Sequence, residues 1–519
     1  MQTISEDIQK LKILHIDDFG NYRSMLKSIL TGMGIKNIDN CSNAEEAMLK
    51  VTSDKYDVIL CDYNLGDGQN GQQFYEELMH KNILDYGTIF IMVTAENTMD
   101  MVMAAVEYRP DAYLNKPFPK EMLITRLEKL IVKKQTLKPI YIAYNNQDYT
   151  KAIKHCDKLM KVTPKLAMEI GKLKAKIAID AKQYQLALSL YEQALHVRPF
   201  DWALYGKAQV LFLQERYKET QEVLEGLIEN NRNYIEAYDL LAKIYDINGD
   251  FIESQKILET ATTISPRTAL RQQHLAQTAY KNGDKELATK AFKQTISNSQ
   301  HSYLDAIDNH TALANLYIET GHPNKAGKTL ANAKKQFKNN KDSQFKTKLV
   351  ECKLETQLGH EDRAREIFEN ILHTMPDKLS NLPKGIQDEL IKQSRDLGEE
   401  DITNAFLNDA DNAEQDIEGM RKYTYLLKNA KGMRLYQRNK LREAMALFDE
   451  AATNLPDNIS INLNAAQSII MMIKNGLVKG VARDTHIEKA QAYLDISNQL
   501  EPDNERYQKL DNLFRGLVK

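Results

Sequence analysis

The sequence predicts an α/β domain with a doubly wound, five-stranded parallel sheet, followed by an all-α superhelix. Three observations lead to this fold class. Up to about residue 137, short β-branched runs alternate with segments of helical period. After Pro139 almost every segment is helical in its periodicity, and a pattern of about 34 residues recurs there. A chain of 519 residues is also too long for one compact core, so more than one domain is expected.

The predicted strands are apolar runs bounded by Asp or Gly, and the predicted helices lie between them. Strand candidates cover residues 11–16, 57–61 and 88–93, with weaker candidates at 35–40 and 111–115. Segments of helical period lie at 21–32, 44–53, 71–81, 98–107 and 119–134. Alternation of this kind predicts right-handed crossovers and helices on both faces of the sheet. In such a sheet, ligands bind outside the carboxyl ends of the strands.

Composition excludes several classes of protein. Hydrophobic residues make up 42% and charged residues 27% of the chain, as in ordinary globular proteins. A net charge of −3 provides no general attraction to nucleic acid or to anionic lipid. The N-terminus lacks the basic region and apolar run of a signal peptide, and no apolar stretch is long enough to span a membrane. The four cysteines form no CxxC pair and are interpreted as reduced thiols. We therefore expect a cytoplasmic protein without membrane insertion.

The region after Pro139 repeats an alanine, an aromatic residue four positions later, and a proline eight positions after that. The copies are Ala187, Tyr191 and Pro199; Ala364, Phe368 and Pro376; and Ala444, Phe448 and Pro456. The pairs Ala152 and Pro164, and Ala490 and Pro502, keep the outer spacing without the aromatic residue. Small residues let helices approach closely, and proline ends the second helix of each unit.

These units resemble tetratricopeptide repeats. We expect roughly nine units, with an irregularity near 380–415 and an insertion near 476–486. The alternative is a series of generic helical hairpins of no single family. The predicted domain limits are 1–136 for the α/β domain, 137–504 for the repeats, and 505–519 for a C-terminal capping helix. Only a short break before Pro139 separates the first two domains, which favours mechanical coupling between them.

Candidate site residues follow successive predicted strands. Asp17 and Asp18 come directly after the first strand, Asp62 ends the third, Thr94 ends the fourth, and Lys116 follows the fifth. All are therefore expected at one rim of the sheet. Three carboxylates at one place repel one another unless a cation lies among them, and oxygen ligands of this kind suit Mg²⁺.

Each of these residue types has a role in phosphoryl transfer. The Asp62 carboxylate can act as the nucleophile, while Lys116 and the Thr94 hydroxyl can contact phosphoryl oxygens. The backbone carbonyl of Asn64 would complete the Mg²⁺ shell. A cis peptide bond before Pro117 would direct Lys116 inward.

Four segments carry a resemblance to a known family. HIDD (15–18), CDYNLGDGQNG (61–71), VTAE (93–96) and YLNKPF (113–118) resemble the CheY-type receiver domain of bacterial two-component signalling, which has a flavodoxin-like fold. The resemblance implies that Asp17 and Asp18 form the acidic metal pair and that Asp62 is the phosphoacceptor. It implies that Thr94 and Lys116 contact the phosphoryl group, and that Thr94 and Tyr113 act as the switch residues, Tyr113 being the rotating aromatic residue.

Two neighbours of the site bear on the lifetime of a phosphoryl group. In receivers that share the pair at Asn64 and Glu96, these residues position an attacking water, so we expect a short-lived acyl-phosphate. A half-life of many hours with Mg²⁺ would contradict this expectation. His15 departs from the usual aliphatic residue on the first strand and is interpreted as a neutral, buried histidine.

The resemblance implies a sensor histidine kinase or a phosphotransfer protein as the phosphoryl donor, and the repeats imply an unidentified protein partner. Residues 139–519 contain no Walker A, HExxH or GxSxG motif, so no reaction is expected beyond the receiver's own phosphorylation and dephosphorylation. The leading hypothesis is an adaptor whose repeats bind a partner in a phosphorylation-dependent way. The alternative is a phosphate sink that competes for a shared kinase. A transcription factor is disfavoured because no helix-turn-helix or basic stripe is evident. A homodimer is left open.

Overall fold

A computed structural model of the chain describes residues 6–95, 109–374, 382–399, 402–404 and 419–518. The chain divides into two compact units, 1–309 and 310–519. The first contains the α/β domain and the first helical hairpins; the second begins within the helix Ile307–Glu319 and contains the helices that follow.

The α/β domain contains the predicted five-stranded sheet. Its strands are β1 (Lys12–Ile16), β2 (Asn37–Cys41), β3 (Val58–Asp62), β4 (Ile89–Thr94) and β5 (Ala112–Asn115). All neighbouring pairs are parallel and the strand order is β2-β1-β3-β4-β5. The order reverses at β1, so the rim beside the carboxyl ends of β1 and β3 is the place where ligands bind in such sheets.

The helices of this domain are α1 (Glu6–Gln9), α2 (Gly20–Gly32), α3 (Ala44–Ser53), α4 (Gly71–His80) and α5 (Lys120–Asn145). Alternate strand residues face opposite layers. Ile13, Leu60 and Ile91 pack on one face together with residues of α2 and α5. Leu14, Ile59 and Phe90 pack on the other face with residues of α3 and α4. The helix predicted at 98–107 lies outside the described residues.

The predicted break before Pro139 is wrong. Helix α5 continues through Pro139 to Asn145. Proline removes one backbone hydrogen bond and favours a helix end. Here the helix is held on both sides of the proline by buried residues, namely Leu137, Ile140 and Ala143, which pack against the next hairpin. The predicted domain limit at 136/137 therefore falls inside one helix, and the limits themselves remain a prediction.

The helices that follow in the first unit form antiparallel hairpins. They are α6 (Tyr149–Val162), α7 (Ala167–Asp180), α8 (Tyr184–Val197), α9 (Asp201–Leu213), α10 (Tyr217–Asn230), α11 (Ile235–Ile247), α12 (Phe251–Ile264), α13 (Ala269–Lys281) and α14 (Lys285–Ser299). The second helix of successive hairpins begins at Tyr149, Tyr184, Tyr217 and Phe251, aromatic residues spaced by 33 to 35 positions.

Small residues occupy the close crossings between these helices, as the repeat pattern predicts. Ala152 and Ala187 are fully buried. A Cβ atom added at Gly206 would lie 2.2 Å from the ring of Tyr191, so this crossing requires glycine. The aromatic ring of one hairpin therefore fills the space that a glycine leaves on the next.

The second unit continues the helical pattern. Its helices are α15 (Ile307–Glu319), α16 (Pro323–Gln336), α17 (Lys341–Gln357), α18 (Glu361–Thr374), α19 (Lys384–Asp396), α20 (Gly419–Gln437), α21 (Leu441–Asn454), α22 (Ile459–Lys474), α23 (Val481–Leu500) and α24 (Glu505–Val518). The repeated alanines Ala364, Ala444 and Ala490 are fully buried.

The insertion predicted near 476–486 coincides with the start of a long helix. Helix α23 has 20 residues, and the six residues 475–480 separate it from α22. The predicted capping helix is α24, which buries Leu510 and Phe514. Of the predicted irregular segment 380–415, residues 380–381, 400–401 and 405–415 lie outside the described residues. Among the described helices, none has the length and apolar composition needed to cross a lipid bilayer.

Candidate functional site

The candidate residues gather at one rim of the sheet because each follows or ends a parallel strand. Asp17 and Asp18 follow β1, Asp62 ends β3, Thr94 ends β4 and Lys116 follows β5. A pocket of about 450 Å³ opens at this rim. Its lining residues are Asp18, Phe19, Asn21, Tyr22, Met25, Asp62, Tyr63, Asn64, Thr94, Ala95 and Lys116.

The three aspartates form one acidic cluster. Oxygen atoms of Asp17, Asp18 and Asp62 lie within 4.8 Å of one another, and Asp17 and Asp62 are buried. The Lys116 ammonium donates to Asp17 Oδ2 at 2.6 Å and to Asp62 Oδ2 at 2.7 Å. Burial raises the pKa of the Asp62 carboxyl, and the hydrogen bond and charge of Lys116 oppose this effect. Because one ammonium faces three carboxylates, the cluster keeps an excess of negative charge.

This arrangement fits a divalent cation. Asp18 Oδ1 is buried and has no hydrogen-bond partner among the described residues. A buried carboxylate oxygen without a partner is costly unless a cation or water satisfies it. Oxygen ligands from carboxylates are those that Mg²⁺ prefers. Receiver domains generally bind Mg²⁺ through such an acidic cluster, and Asp17, Asp18 and Asp62 form one here.

The loop after Asp62 closes tightly onto β3. Its Asn64 side chain accepts a hydrogen bond from Gly66 N at 3.2 Å, and Gly66 has the positive φ of 75° that favours glycine. Gly71 N donates to Tyr63 O at 2.8 Å. A Cβ atom added at Gly71 would lie 2.0 Å from the carbonyl oxygen of Asp62. Gly71 is thus required for the backbone at Asp62, a role that the sequence analysis missed.

Three further contacts around Asp17 and Lys116 were also missed. The Lys116 ammonium lies 4.0 Å from the centre of the Tyr22 ring. Phe19 N donates to Asp17 Oδ1 at 2.9 Å, and Arg23 donates to the Asp17 carbonyl. The signal available in the sequence was position alone, since Phe19, Tyr22 and Arg23 lie at the start of the helix that follows the aspartate pair.

His15 is buried beside the site, as the sequence analysis interpreted it. Its side chain is 1% exposed, and Nδ1 lies 3.3 Å from Asn40 Oδ1. Burial lowers the pKa of His15 to about 4. The imidazole is therefore neutral at physiological pH.

The remaining predicted residues have different surroundings. Thr94 is buried at the pocket wall, and the Lys116–Pro117 peptide bond is cis, as predicted. Tyr113 does not line the pocket but packs half-buried against the cluster that contains Phe90 and Met92. Glu96 lies outside the described residues.

Comparisons with known proteins agree with this geometry. The family model of the response regulator receiver domain matches residues 13–128, and two models of the tetratricopeptide repeat match residues 178–244 and 235–268. The chemotaxis protein CheY of Pseudomonas aeruginosa is 28% identical over 120 residues, which is 23% of this chain and 95% of that protein.

Solved structures align with separate parts of the chain. A tetratricopeptide repeat protein from Parabacteroides merdae aligns over 50% of this chain and 98% of its own, at 14% identity and a TM-score of 0.31. A two-component response regulator from Clostridium difficile aligns over 24% of this chain and 96% of its own, at 30% identity and a TM-score of 0.22.

The matches to the receiver and tetratricopeptide-repeat family models indicate a role in signalling and in protein interaction, with an architecture that is not typical of a catalytic enzyme. The receiver implies a histidine kinase or phosphotransfer partner, and the repeats imply a protein partner. The chain carries an N-terminal response regulator receiver domain, homologous to CheY, followed by tetratricopeptide repeats.

Proposed function

We propose that this protein is a cytoplasmic phosphorelay response regulator, in which Asp62 accepts a phosphoryl group and the repeats bind a partner protein in a phosphorylation-dependent way. One observation carries the proposal. Asp62 ends β3 at an open pocket, with Asp17, Asp18 and Lys116 gathered around its carboxylate. A buried carboxylate beside a cation site and an ammonium group can serve as the nucleophile in phosphoryl transfer.

In the proposed reaction, an Asp62 carboxylate oxygen attacks the phosphorus of a phosphohistidine in the sensor kinase or phosphotransfer protein. The new P–O bond forms as the P–N bond breaks, and the imidazole leaves and takes up a proton. In the structure, the Lys116 ammonium donates hydrogen bonds to Asp17 and Asp62. In the reaction it would contact one phosphoryl oxygen, and the Thr94 hydroxyl would donate to another.

The cation that fits the acidic cluster would be held by Asp17, Asp18, Asp62 and the backbone carbonyl of Asn64. Mg²⁺ would supply positive charge to the transferred phosphoryl oxygens when bound. Without it, the negative phosphoryl donor would approach a pocket that already has an excess of carboxylate charge.

Contacts between the receiver and the repeats favour the adaptor over the phosphate sink. Gln73 Nε2 donates to the carbonyl oxygens of Asn298 and Gln300, each at 3.2 Å. His80, on the same helix α4, stacks its ring on that of Tyr303, and the ring centres lie 4.5 Å apart. Helix α4 begins at Gly71, whose backbone packs against that of Asp62. A change at Asp62 thus has a short route to the repeats, which a phosphate sink would not need.

The acceptor is tested by Asp62→Asn, a nearly isosteric change. We expect it to abolish labelling by radioactive acetyl phosphate in the presence of Mg²⁺ and to leave the circular dichroism spectrum unchanged. Asp67→Asn is the matched control, because Asp67 is an exposed acid in the same loop. Labelling that persists in the Asp62→Asn chain means that the acceptor is misassigned.

A second experiment separates the adaptor from the phosphate sink. Wild-type and Asp62→Asn chains are mixed with a phosphorylated sensor kinase and a competing regulator. The adaptor hypothesis predicts a partner protein whose affinity for residues 137–504 changes when a phosphodonor is added. Altered transfer to the competing regulator, with no phosphorylation-dependent partner, supports the sink instead.

A further inference from the structure

A groove lies on the surface of the first unit. It runs along α7, α9 and α11, each of which is the first helix of its hairpin. Its volume is about 560 Å³. The groove combines aromatic rings with charges of both signs. Its lining includes Trp202, Tyr205 and Tyr234 among the aromatic residues, and Lys172 and Glu236 among the charged ones. Grooves with aromatic walls and a few polar groups are typical binding surfaces.

One side chain of the receiver already lies in this groove. Arg109 lines it together with the repeat residues, and its Nη2 donates to Glu236 Oε1 at 2.7 Å. The guanidinium also donates to the Tyr234 hydroxyl. Tyr205 and Tyr234 line the groove together with Arg109, and their ring centres lie 5.4 Å apart. A carboxylate together with aromatic faces is the environment that recognises a guanidinium group.

The backbone that carries Arg109 is connected to the phosphorylation site. Arg109 lies three residues before β5, and Lys116 follows directly after that strand. Between them, Asp111 Oδ2 accepts from Phe90 N at 3.0 Å, and Asp111 Oδ1 pairs with Lys134 at 3.1 Å. Arg109 therefore lies before the amino end of β5 and Lys116 after its carboxyl end, and the β4–β5 pairing fixes the strand that connects them.

We infer that this groove is the docking site for a partner-protein segment that presents an arginine, and that Arg109 occupies it as an internal competitor. The inference rests on the proposed function, since it names where the repeats bind their partner. The groove selects arginine over an acidic segment at this position because Glu236 and the two tyrosines surround the guanidinium. Displacement of Arg109 would then open the site to the partner.

The groove contains its own reporter. Trp202 is the single tryptophan of the chain, and the Lys172 ammonium lies 4.7 Å from its ring centre. Its indole nitrogen is buried and has no hydrogen-bond partner in the part of the chain that the structure describes. Tryptophan emission responds to nearby charge and to hydrogen bonding, so binding in the groove can be followed without a label.

The test uses the full chain and a fluorescein-labelled peptide, AVEYRPDA, which copies residues 105–112. The probe is titrated by fluorescence anisotropy against wild-type, Arg109→Ala and Arg216→Ala chains. Arg216 is the matched control, since it is an exposed arginine paired with a glutamate outside the groove. We expect the Arg109→Ala chain to bind the probe at least about tenfold more tightly than the other two, because internal competition is removed.

Two variants test specificity. The peptide AVEYAPDA should bind all chains weakly, and adding Glu236→Gln to the Arg109→Ala chain should lower its affinity for the arginine peptide. Equal affinity of wild-type and Arg109→Ala chains overturns the inference, as does absence of binding to the Arg109→Ala chain or equal binding of the two peptides. An unchanged thermal midpoint for Arg109→Ala shows that the fold is retained.

A separate arm tests the proposed function. Wild-type chain treated with acetyl phosphate and Mg²⁺ should gain affinity for the arginine peptide and show the same change in Trp202 emission as Arg109→Ala. If treated and untreated wild-type chains bind alike while Arg109→Ala binds more tightly, competition by Arg109 stands and the phosphorylation dependence fails.

Discussion

The surroundings of Asp62 depend on residues that are distant in sequence. Lys116 supplies the ammonium, Asp17 shares it, and Tyr22 places its ring beside the same group. Gly71 contributes through the absence of a side chain, since its Cα packs against the Asp62 carbonyl. At the residue scale, the Asp62 carboxylate is thus positioned by both a charge pair and a steric requirement.

Gly71→Ala tests the steric requirement. The added Cβ would lie 2.0 Å from Asp62 O, so either β3 or α4 must move. We expect the free energy of unfolding to fall by about 1–3 kcal/mol, as for other overpacked sites, and acetyl phosphate labelling to slow. Urea unfolding and the labelling rate measure the two effects. Gly87→Ala is the control because nothing lies within 4 Å of a Cβ there; equal effects of the two changes contradict this account.

The four cysteines should be unreactive in the folded protein. Cys41, Cys61, Cys156 and Cys352 are buried and free. Burial raises the thiol pKa of Cys41 to about 11 and those of Cys156 and Cys352 to about 12. At pH 8, native protein should release almost no chromophore from Ellman's reagent, whereas protein in guanidinium chloride should react at all four thiols. Rapid reaction of any thiol in the native protein contradicts this prediction.

The same shifts predict a loss of stability in alkali. Because the folded pKa is raised, the unfolded thiol loses its proton near its ordinary pKa of 9.0 while the folded thiol keeps it. The contribution of these protonated thiols to the free energy of unfolding is therefore complete below pH 9, and it is lost as the pH rises toward about 12.

At the scale of helices, close packing depends on glycine and alanine at particular crossings. Gly206 on α9 faces the ring of Tyr191 on α8, and Gly432 on α20 faces Phe448 on α21 in the same way. Gly226, on the neighbouring helix α10, has nothing within 4 Å of a Cβ position. Glycines in similar helices thus differ in whether close packing between helices requires them.

Gly206→Ala and Gly226→Ala should change stability in opposite directions. The first places a Cβ 2.2 Å from Tyr191 and should destabilise by about 1–3 kcal/mol. The second replaces an open helical glycine with a better helix former and should stabilise by about 0.5–1 kcal/mol. Urea unfolding followed by Trp202 fluorescence compares them. A destabilising Gly226→Ala would show that contacts rather than helix propensity govern that position.

At the scale of the whole molecule, the first unit is not two separate domains joined by a tether. Helix α5 belongs to both the sheet layer and the first hairpin. Tyr86, in the loop before β4, lies 4.7 Å from Tyr144 and 6.0 Å from Tyr141 by ring centres, and its hydroxyl accepts from Lys176 at 3.0 Å. We expect the receiver and the neighbouring hairpins to unfold together.

Tyr86→Ala should therefore lower the unfolding midpoint reported by Trp202, which lies in the hairpins rather than in the receiver. Loss of two aromatic contacts should cost about 1–3 kcal/mol. Tyr86→Phe keeps the ring and loses only the hydroxyl bonds, so about 1 kcal/mol is expected. A Trp202 transition that does not shift in Tyr86→Ala, while receiver unfolding does, would mean that the two parts unfold independently.

Much of the fold and of the site could be predicted from sequence alone. Alternation of strands and helices predicted the sheet, and the strand ends predicted that Asp17, Asp18, Asp62, Thr94 and Lys116 would share one rim. The recurring spacing of alanine, aromatic residue and proline predicted the hairpins. These features are local or periodic, so each is written in neighbouring residues.

The tertiary structure alone decided the rest, because it depends on contacts between distant segments. Packing around Leu137 and Ile140 holds α5 together across Pro139, where local preference predicts a break. Gly71 is needed only because α4 meets β3 so closely, and Arg109 reaches Glu236 only because the receiver packs on its own repeats. Sequence periodicity determined the elements and their site, whereas long-range packing determined what those elements touch.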